Sequence, residues 1–379
     1  MFGHEMIPAF LIDPGVLHLN HGSYGALPRV VADEQTRLRA MAEARASSFN
    51  RETHYELLSD SLQSISGLLG GRSQDWVLTD NATAGCNIVL ASLDLQPGDE
   101  VLFTSETYGA VQKGLHHWHG RRGVTLTRLP LRVPLEGPEV VTQTIKAALS
   151  ARTKLVVLDH ITSPTALIMP VEDIAAMCRK AGVPVLVDGA HVPGHLSVDV
   201  PALGVDYWVG NAHKWLFAPR SVAALWCAAK WQDRLRPPVV SHGSFEGFQQ
   251  AFAWVGTRDA SPWHAIPKAI STHKELGGTR LMQRNRALAA EAGDMLAEAL
   301  GGRLAGPREM RGAMAAVSLR GLTGADPKKL QGDFARLYGI ETGFFPFNDG
   351  VGLRVSAQIY NELTDYERLL TALKSHFDL

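Results

Sequence analysis

Two stretches near the middle of the chain, VPVLVDGAHVPG and VDYWVGNAHKWL, run apolar and then end in groups that can move protons or form bonds. The first delivers Asp188 and His191, the second His213 and Lys214. A lone lysine after a buried strand is usually a solvated terminus, and a lone aspartate there usually caps the next helix. The pair ends successive strands, each with a histidine beside it, and that combination suits one chemistry. A lysine amine can hold pyridoxal phosphate as an imine while an aspartate keeps the pyridine nitrogen protonated, so that the ring draws electrons from a substrate's α-carbon. Such a site also needs a phosphate cradle. LTDNATAGCNIVLASL offers one: a strand ends at Thr79 and small polar residues lead into a helix from about Thr83. Free backbone N–H groups and the positive dipole end of that helix favour a phosphate.

The elements that must position these groups follow from the pattern. Strand-like WVLT, VLFT, LVVLDH, VPVLVD and DYWVG alternate with helical stretches such as VEDIAAMCRKAG. Several strands are continuously apolar, which marks strands covered on both faces, as in a parallel sheet. Ligands of such sheets collect beyond the carboxyl ends of the strands, where Asp188 and Lys214 fall. The alternation predicts an α/β core. VVADEQTRLRAMAEARA after Pro28, and HYELLSDSLQSISGLLGG closed by Gly70 and Gly71, read as helices. After about Ala260, PKAISTHKELGG, RLMQRNRALAAEAGDMLAEALGG and TDYERLLTALKSHF are helical, with AMAAVSLRG and VGLRVSA as strands between them. Thr364 and Glu367 are expected to form a capping box for the last helix. The expected division is a segment 1–28 that contributes to the site, a large domain 29–260 that binds the cofactor on a mainly parallel sheet covered by helices, and a smaller α+β domain 261–379.

The 379 residues carry a formal net charge of −1, which gives no basic footprint for nucleic acid or an acidic membrane surface. Cys86, Cys178 and Cys227 form no CxxC and no disulfide-like spacing, so a cytoplasmic location is expected. MFGHEMIPAFLIDPG lacks the basic start and long apolar core of a secretory signal, and no apolar run has the length of a membrane-spanning helix. HHWH at 116–119 lacks the spacing of a helical zinc motif, and no metal is expected. The sequence contains no GxGxxG fingerprint, no phosphate-binding loop ending in GK[ST] and no GxSxG elbow, which removes the main supports for nicotinamide, P-loop and α/β-hydrolase readings.

DNATAG, ITSPTA, DGAHVPG, GNAHKW, VGTRD and RVSAQIYN occur in the order seen in class V aminotransferase-like enzymes of pyridoxal phosphate fold type I, and the chain resembles that family over nearly its whole length. The opening FLIDPGVLHLNHGSYGALP resembles the isopenicillin N epimerase-like branch. The resemblance implies that Lys214 binds the cofactor covalently and that Asp188 partners the pyridine nitrogen. It places His191 near the phenolic oxygen, Ala82, Thr83 and His213 at the phosphate, Tyr108 stacked on the ring and Thr162 in contact with the cofactor. Where many relatives carry serine or threonine two residues before the histidine, this chain has Asn211. Thr257 resembles the threonine that reaches the phosphate of a neighbouring subunit's cofactor, which implies a homodimer with shared active sites. Arg354 resembles the arginine that grips the substrate carboxylate through a bidentate fork, and Asn20 and His21 are expected to line the same pocket. Arg354 also has a plain structural alternative, pairing with a core carboxylate.

Within the family, epimerisation, C–S lysis, persulfide-forming desulfuration and transamination compete. No cysteine follows Cys227, so the loops ahead of Arg354 hold no nucleophile for a desulfurase, and the three cysteines read as buried packing residues. Epimerisation needs a second acid, for which Tyr24, His21 and Tyr108 are candidates. The subfamily resemblance favours an epimerase-like activity at the α-carbon of an amino acid or amino-acid-containing compound, with a C–S lyase, an aminotransferase and a non-catalytic ligand sensor as alternatives.

Overall fold

The computed structural model describes residues 2–120, 122–319, 324–348 and 350–378. In chain order the strands are β1 (Leu17–His18), β2 (Trp76–Thr79), β3 (Glu100–Thr104), β4 (Thr125–Leu129), β5 (Thr153–Asp159), β6 (Val185–Asp188), β7 (Tyr207–Asn211), β8 (Ala223–Cys227), β9 (Met314–Leu319), β10 (Ile340–Glu341), β11 (Gly343–Phe347) and β12 (Gly350–Ser356). β2 to β8 form one sheet in the order β2-β8-β7-β6-β5-β3-β4. Only β8 runs against its neighbours, β7 and β2, so the sheet is mostly parallel, as the alternation predicts. Right-handed crossovers need helices between parallel strands. Gly109–Trp118, Pro138–Ala148 and Val171–Lys180 supply them after β3, β4 and β5.

Burial explains why these runs are strands. Every residue of β2, β3, β6, β7 and β8 is buried, with Leu186, Val187 and Val209 sealed completely. Each such side chain contributes roughly 1.5–3 kcal/mol on leaving water, which fixes where the strands stop and therefore where Asp188 and Lys214 emerge. β6 and β7 leave the sheet tightly packed: Gly189 N–H donates to Val209 O at 2.6 Å, and a Cβ on Gly189 would lie 2.3 Å from the Trp208 indole. β4 and β11 lie outside the strands expected from the sequence. β4 is an edge strand with exposed polar residues, and β11 is an edge strand that carries Pro346 on its open face.

A second, antiparallel sheet has the order β11-β12-β9 and is packed by the helices Thr279–Ala299, Pro327–Tyr338 and Leu363–Phe377. The capping box of the last helix is a correction to expectation. Glu362 is the N-cap and Asp365 closes the box, in place of Thr364 and Glu367. The helix begins two residues earlier because both carboxylates accept from backbone N–H groups at the same end.

The N-terminal segment belongs to this second sheet's core. β1 pairs with β10 through Leu17↔Ile340 and His18↔Glu341, and Ser356 N–H donates to Leu19 O at 2.8 Å. Leu17 and Leu19 sit in the same apolar cluster as Leu353 and Tyr366. Anchored there, the segment carries Asn20 to Tyr24 back to the carboxyl edge of the large sheet. Gly25 ends that turn at φ 72°, where a Cβ would meet the His213 carbonyl oxygen at 2.2 Å.

Candidate active site

A cavity of about 150 Å³ lies beyond the carboxyl ends of β2, β3, β5, β6 and β7. The structure brings Asp188, His191, His213, Lys214, Ala82, Thr83 and Tyr108 together around it. β6 and β7 are adjacent and parallel, so the turns after them present Asp188, His191 and Lys214 from neighbouring positions.

Lys214 Nζ lies 3.2 Å from His191 Nε2. The indole N–H of Trp215 donates to His191 Nδ1 at 3.4 Å. A neutral His191 therefore carries its proton on Nε2 and offers it to the lone pair of an unprotonated Lys214. The electrostatics agree: burial, with the Arg354 guanidinium, pulls Lys214 down to about 7, while Asp188 holds it up. Burial and the nearby Lys214 keep His191 well below the usual histidine range. Asp188 accepts from the Ala190 N–H at 2.9 Å, yet burial still raises its carboxyl.

The cradle forms at the N-terminus of the helix Ala82–Ser92, one residue ahead of the expected start. Asn81 Oδ1 accepts from Ala84 N–H at 2.9 Å. Asn211 Oδ1 accepts from Ala82 N–H at 2.8 Å, so the asparagine that replaces the usual hydroxyl residue ties β7 to the cradle. The Thr83 N–H has no protein acceptor among the described residues and faces the dipole end expected to favour an anion. His213 donates from Nδ1 to Val222 O at 3.2 Å, and burial with Lys214 pushes it to about 4. It is neutral at pH 7, and a bound dianion would draw a proton onto Nε2.

Arg354 is buried, and its guanidinium meets only neutral acceptors among the described residues: the Ser163 carbonyl, Asn20 Oδ1 at 2.9 Å and Ser23 Oγ at 2.8 Å. Its Nε has no partner, and burial lowers it to about 10. Among the described residues no core carboxylate pairs with it, so the alternative raised from sequence loses its support.

Four residues expected at the site fall elsewhere. Asn20 lies behind the cavity wall, orienting Arg354, while Ser23 and Tyr24 form the wall itself. His21 turns away: Nδ1 meets Tyr360 Oη at 2.9 Å and Ala26 N–H at 3.3 Å, and Nε2 donates to Lys214 O at 3.1 Å. Thr162 is sealed, its Oγ1 bonded to Thr165 Oγ1 at 2.7 Å and to Leu167 N–H at 2.8 Å, so Ile161 and Ser163 reach the cavity in its place. Thr257 lines a separate cavity of about 940 Å³ that shares Asn81 with the first. Asp159, at the end of β5, is a cavity residue that the sequence reading passed over.

The residues present fit pyridoxal phosphate. A buried amine without a carboxylate in hydrogen-bond contact, a buried carboxyl at the cavity floor and an open helix N-terminus match its aldehyde, ring nitrogen and phosphate. A test follows from Lys214. Only the free amine attacks an aldehyde, so covalent uptake of the cofactor by apoprotein should climb with pH through about 7 and then level. Uptake that keeps climbing toward about pH 10, the range of an ordinary lysine, would contradict this.

Among the described residues, no group of three or more His, Cys, Asp or Glu side chains is arranged to hold a metal, and no helix is long and apolar enough to cross a membrane. All three cysteines are buried. Burial holds Cys86 and Cys227 far above the thiol range and Cys178 at about 11.

The sequence profile of the aminotransferase class-V family matches residues 19–369. The isopenicillin N epimerase of Amycolatopsis lactamdurans is 34% identical over 385 residues, covering 96% of each chain. A putative L-cysteine desulfhydrase of Oryza sativa subsp. japonica is 33% identical over 400 residues, covering 95% of this chain and 83% of that protein. Among solved structures, the apo cysteine desulfurase of Thermococcus onnurineus NA1 superposes with a TM-score of 0.84 at 16% identity, covering 100% of this chain and 98% of the other, which shows the shared fold. With its lysine, acid and cradle gathered at one sheet edge and residues 19–369 matched by that profile, the chain belongs to the class V aminotransferase family and is a pyridoxal phosphate enzyme.

Proposed function

We propose that the protein removes the α-proton of a small α-amino acid and expels a β-thiol, as a C–S lyase of the L-cysteine desulfhydrase kind. The observation that carries this is the supply of bases. Lys214 faces the cavity with its ammonium form disfavoured, whereas His21, a candidate second acid, has both ring nitrogens engaged. β-Elimination needs one base; inversion needs an acid on the opposite face as well.

The bound cofactor supplies an electron sink for the α-carbon. The chain's residues do the rest. Lys214 Nζ would take the α-proton, Asp188 would hold a proton at the pyridine nitrogen, and Tyr108 would offer its aromatic face to the cofactor. Arg354 exchanges neutral acceptors for the substrate carboxylate. With cysteine, the Cβ–S bond breaks, sulfide leaves, and hydrolysis of the remaining fragment gives pyruvate and ammonia. Epimerisation is the second reading, supported by Tyr24 and Tyr108, which both line the cavity.

The deciding experiment offers candidate amino acids in deuterated water and follows sulfide, pyruvate and inversion together. Equal release of sulfide and pyruvate is expected; inverted substrate with every heavy atom conserved would establish the epimerase. A spectral response to an amino acid without release of any product would favour a ligand sensor. The wild-type protein should carry no persulfide in mass spectra after turnover, and a folded variant with Cys86, Cys178 and Cys227 all replaced should keep its turnover. Loss of that turnover would revive a desulfurase.

Arg354→Lys keeps the charge but loses the fork. It should raise the KM for substrate about tenfold or more while cofactor affinity stays near that of the wild type. Unchanged KM would assign the carboxylate to another residue.

We also propose a homodimer in which a second copy closes the larger cavity and brings Thr257 to its partner's phosphate. The shared Asn81 boundary supports this. The free, buried cysteines support a reducing cytoplasm, and the two sheets support division near residue 260.

A further inference from the structure

β5 ends as β6 does, in an aspartate. The parallel register pairs Asp159 directly with Asp188, so the two side chains leave the same face of the sheet side by side, 2% and 3% exposed, at one cavity. Asp159 Oδ1 accepts from the Tyr108 N–H at 3.1 Å, while its Oδ2 is sealed from solvent with no donor among the described residues. Two adjacent buried carboxylates cannot both be charged without a cation between them, and an ionised oxygen without a donor is the costlier one to keep.

We propose that Asp159 is the protonated half of a carboxylic acid–carboxylate pair: its Oδ2–H donates to Asp188 and holds Asp188 as the anion beneath the pyridine nitrogen. Asp159 is thus a positioning residue that acts through Asp188, and through Oδ1 it also fixes the backbone at Tyr108. The groups facing the pair agree with this placement of the proton. Asp188 looks toward Lys214 and takes the Ala190 N–H, both of which favour its charge. Asp159 faces Asp188, Glu106 after β3 and the Cys86 thiol on the helix Ala82–Ser92, with the Tyr108 N–H as its donor. Burial and Asp188 raise Asp159 well above the carboxylate range.

The effect on turnover rests on Asp188 being the partner of the ring nitrogen, but the pair itself can be tested without any substrate. The infrared difference spectrum between wild-type protein and Asp159→Asn at pH 7 should contain the carbonyl stretch of a protonated carboxylic acid. Melting supplies a sign. An acid whose folded pKa is raised gives stability that is complete below its unfolded pKa and is lost as pH rises toward the folded value. Asparagine does not titrate, so the Tm of Asp159→Asn relative to wild type should increase between pH 4 and pH 7. A relative Tm that falls over that interval, or a difference spectrum without the acid carbonyl, would show Asp159 ionised and overturn the proposal. In turnover, Asp159→Ala should lose about tenfold or more, and Asp159→Asn should recover most of that loss because its amide N–H still donates to Asp188. An asparagine variant no better than alanine would also overturn it.

Discussion

Replacing Lys214 by alanine should lower turnover by about four orders of magnitude, the upper range for a positioned proton-transfer group. The variant should still fold, since removing a buried amine relieves desolvation. It should still bind pyridoxal phosphate through the helix N-terminus at Ala82 and Thr83, because that cradle is held by Asn81 and Asn211 and not by the lysine. Borohydride reduction of wild-type protein should fix the cofactor on the peptide that contains Lys214. A label on Lys154 or Lys230, or a Lys214→Ala protein that turns over at a wild-type rate, would end the assignment. Lys154 Nζ donates to the Ala151 carbonyl and Lys230 pairs with Asp206, so neither competes for the cavity.

Asp188→Asn should lower kcat on the order of a thousandfold while the fold persists, because an amide cannot favour a ring proton as an anion does. The substitution is nearly isosteric and keeps an oxygen for the Ala190 N–H, so the change in charge is isolated from the change in shape. The visible spectrum of the bound cofactor should shift as the ring nitrogen loses its proton. Unchanged kcat in a folded Asp188→Asn protein would leave Asp188 as no more than an acceptor for the turn that follows β6.

Lys214 and Asp188 were legible because each closes an apolar run, and a buried strand can end in a charged group only where something compensates it. Asp159 lies at the end of LVVLDH in the same way, but one acid at a strand end suffices for a pyridine nitrogen and nothing in the pattern asks for a second. The register that sets it beside Asp188 exists only once β5 and β6 pair. The engagement of His21 was out of reach for a similar reason, since its partners Lys214 and Tyr360 lie 193 and 339 residues away. Asn211 looked like a lost hydroxyl, but its carbonyl oxygen makes a contact to Ala82 that spacing could not reveal. The last capping box escaped because glutamate is an uncommon N-cap, although a carboxylate accepts the same N–H groups.

The pairing of β1 with β10, and of Asn20 with Arg354, sets an order of events during synthesis. Chains grow from the N-terminus and fold as their parts emerge. Lys214 and the cradle can assemble on the large sheet while the second sheet is still being translated. The wall formed by Ser23 and Tyr24 has nowhere to dock until β10 and β12 have left the ribosome. A nascent chain therefore presents Lys214 first and Arg354, proposed above to hold the substrate carboxylate, last. The two ends of the chain meet only in the finished protein, and a truncation that keeps β8 but removes β12 takes away Arg354 and the contact that holds Asn20.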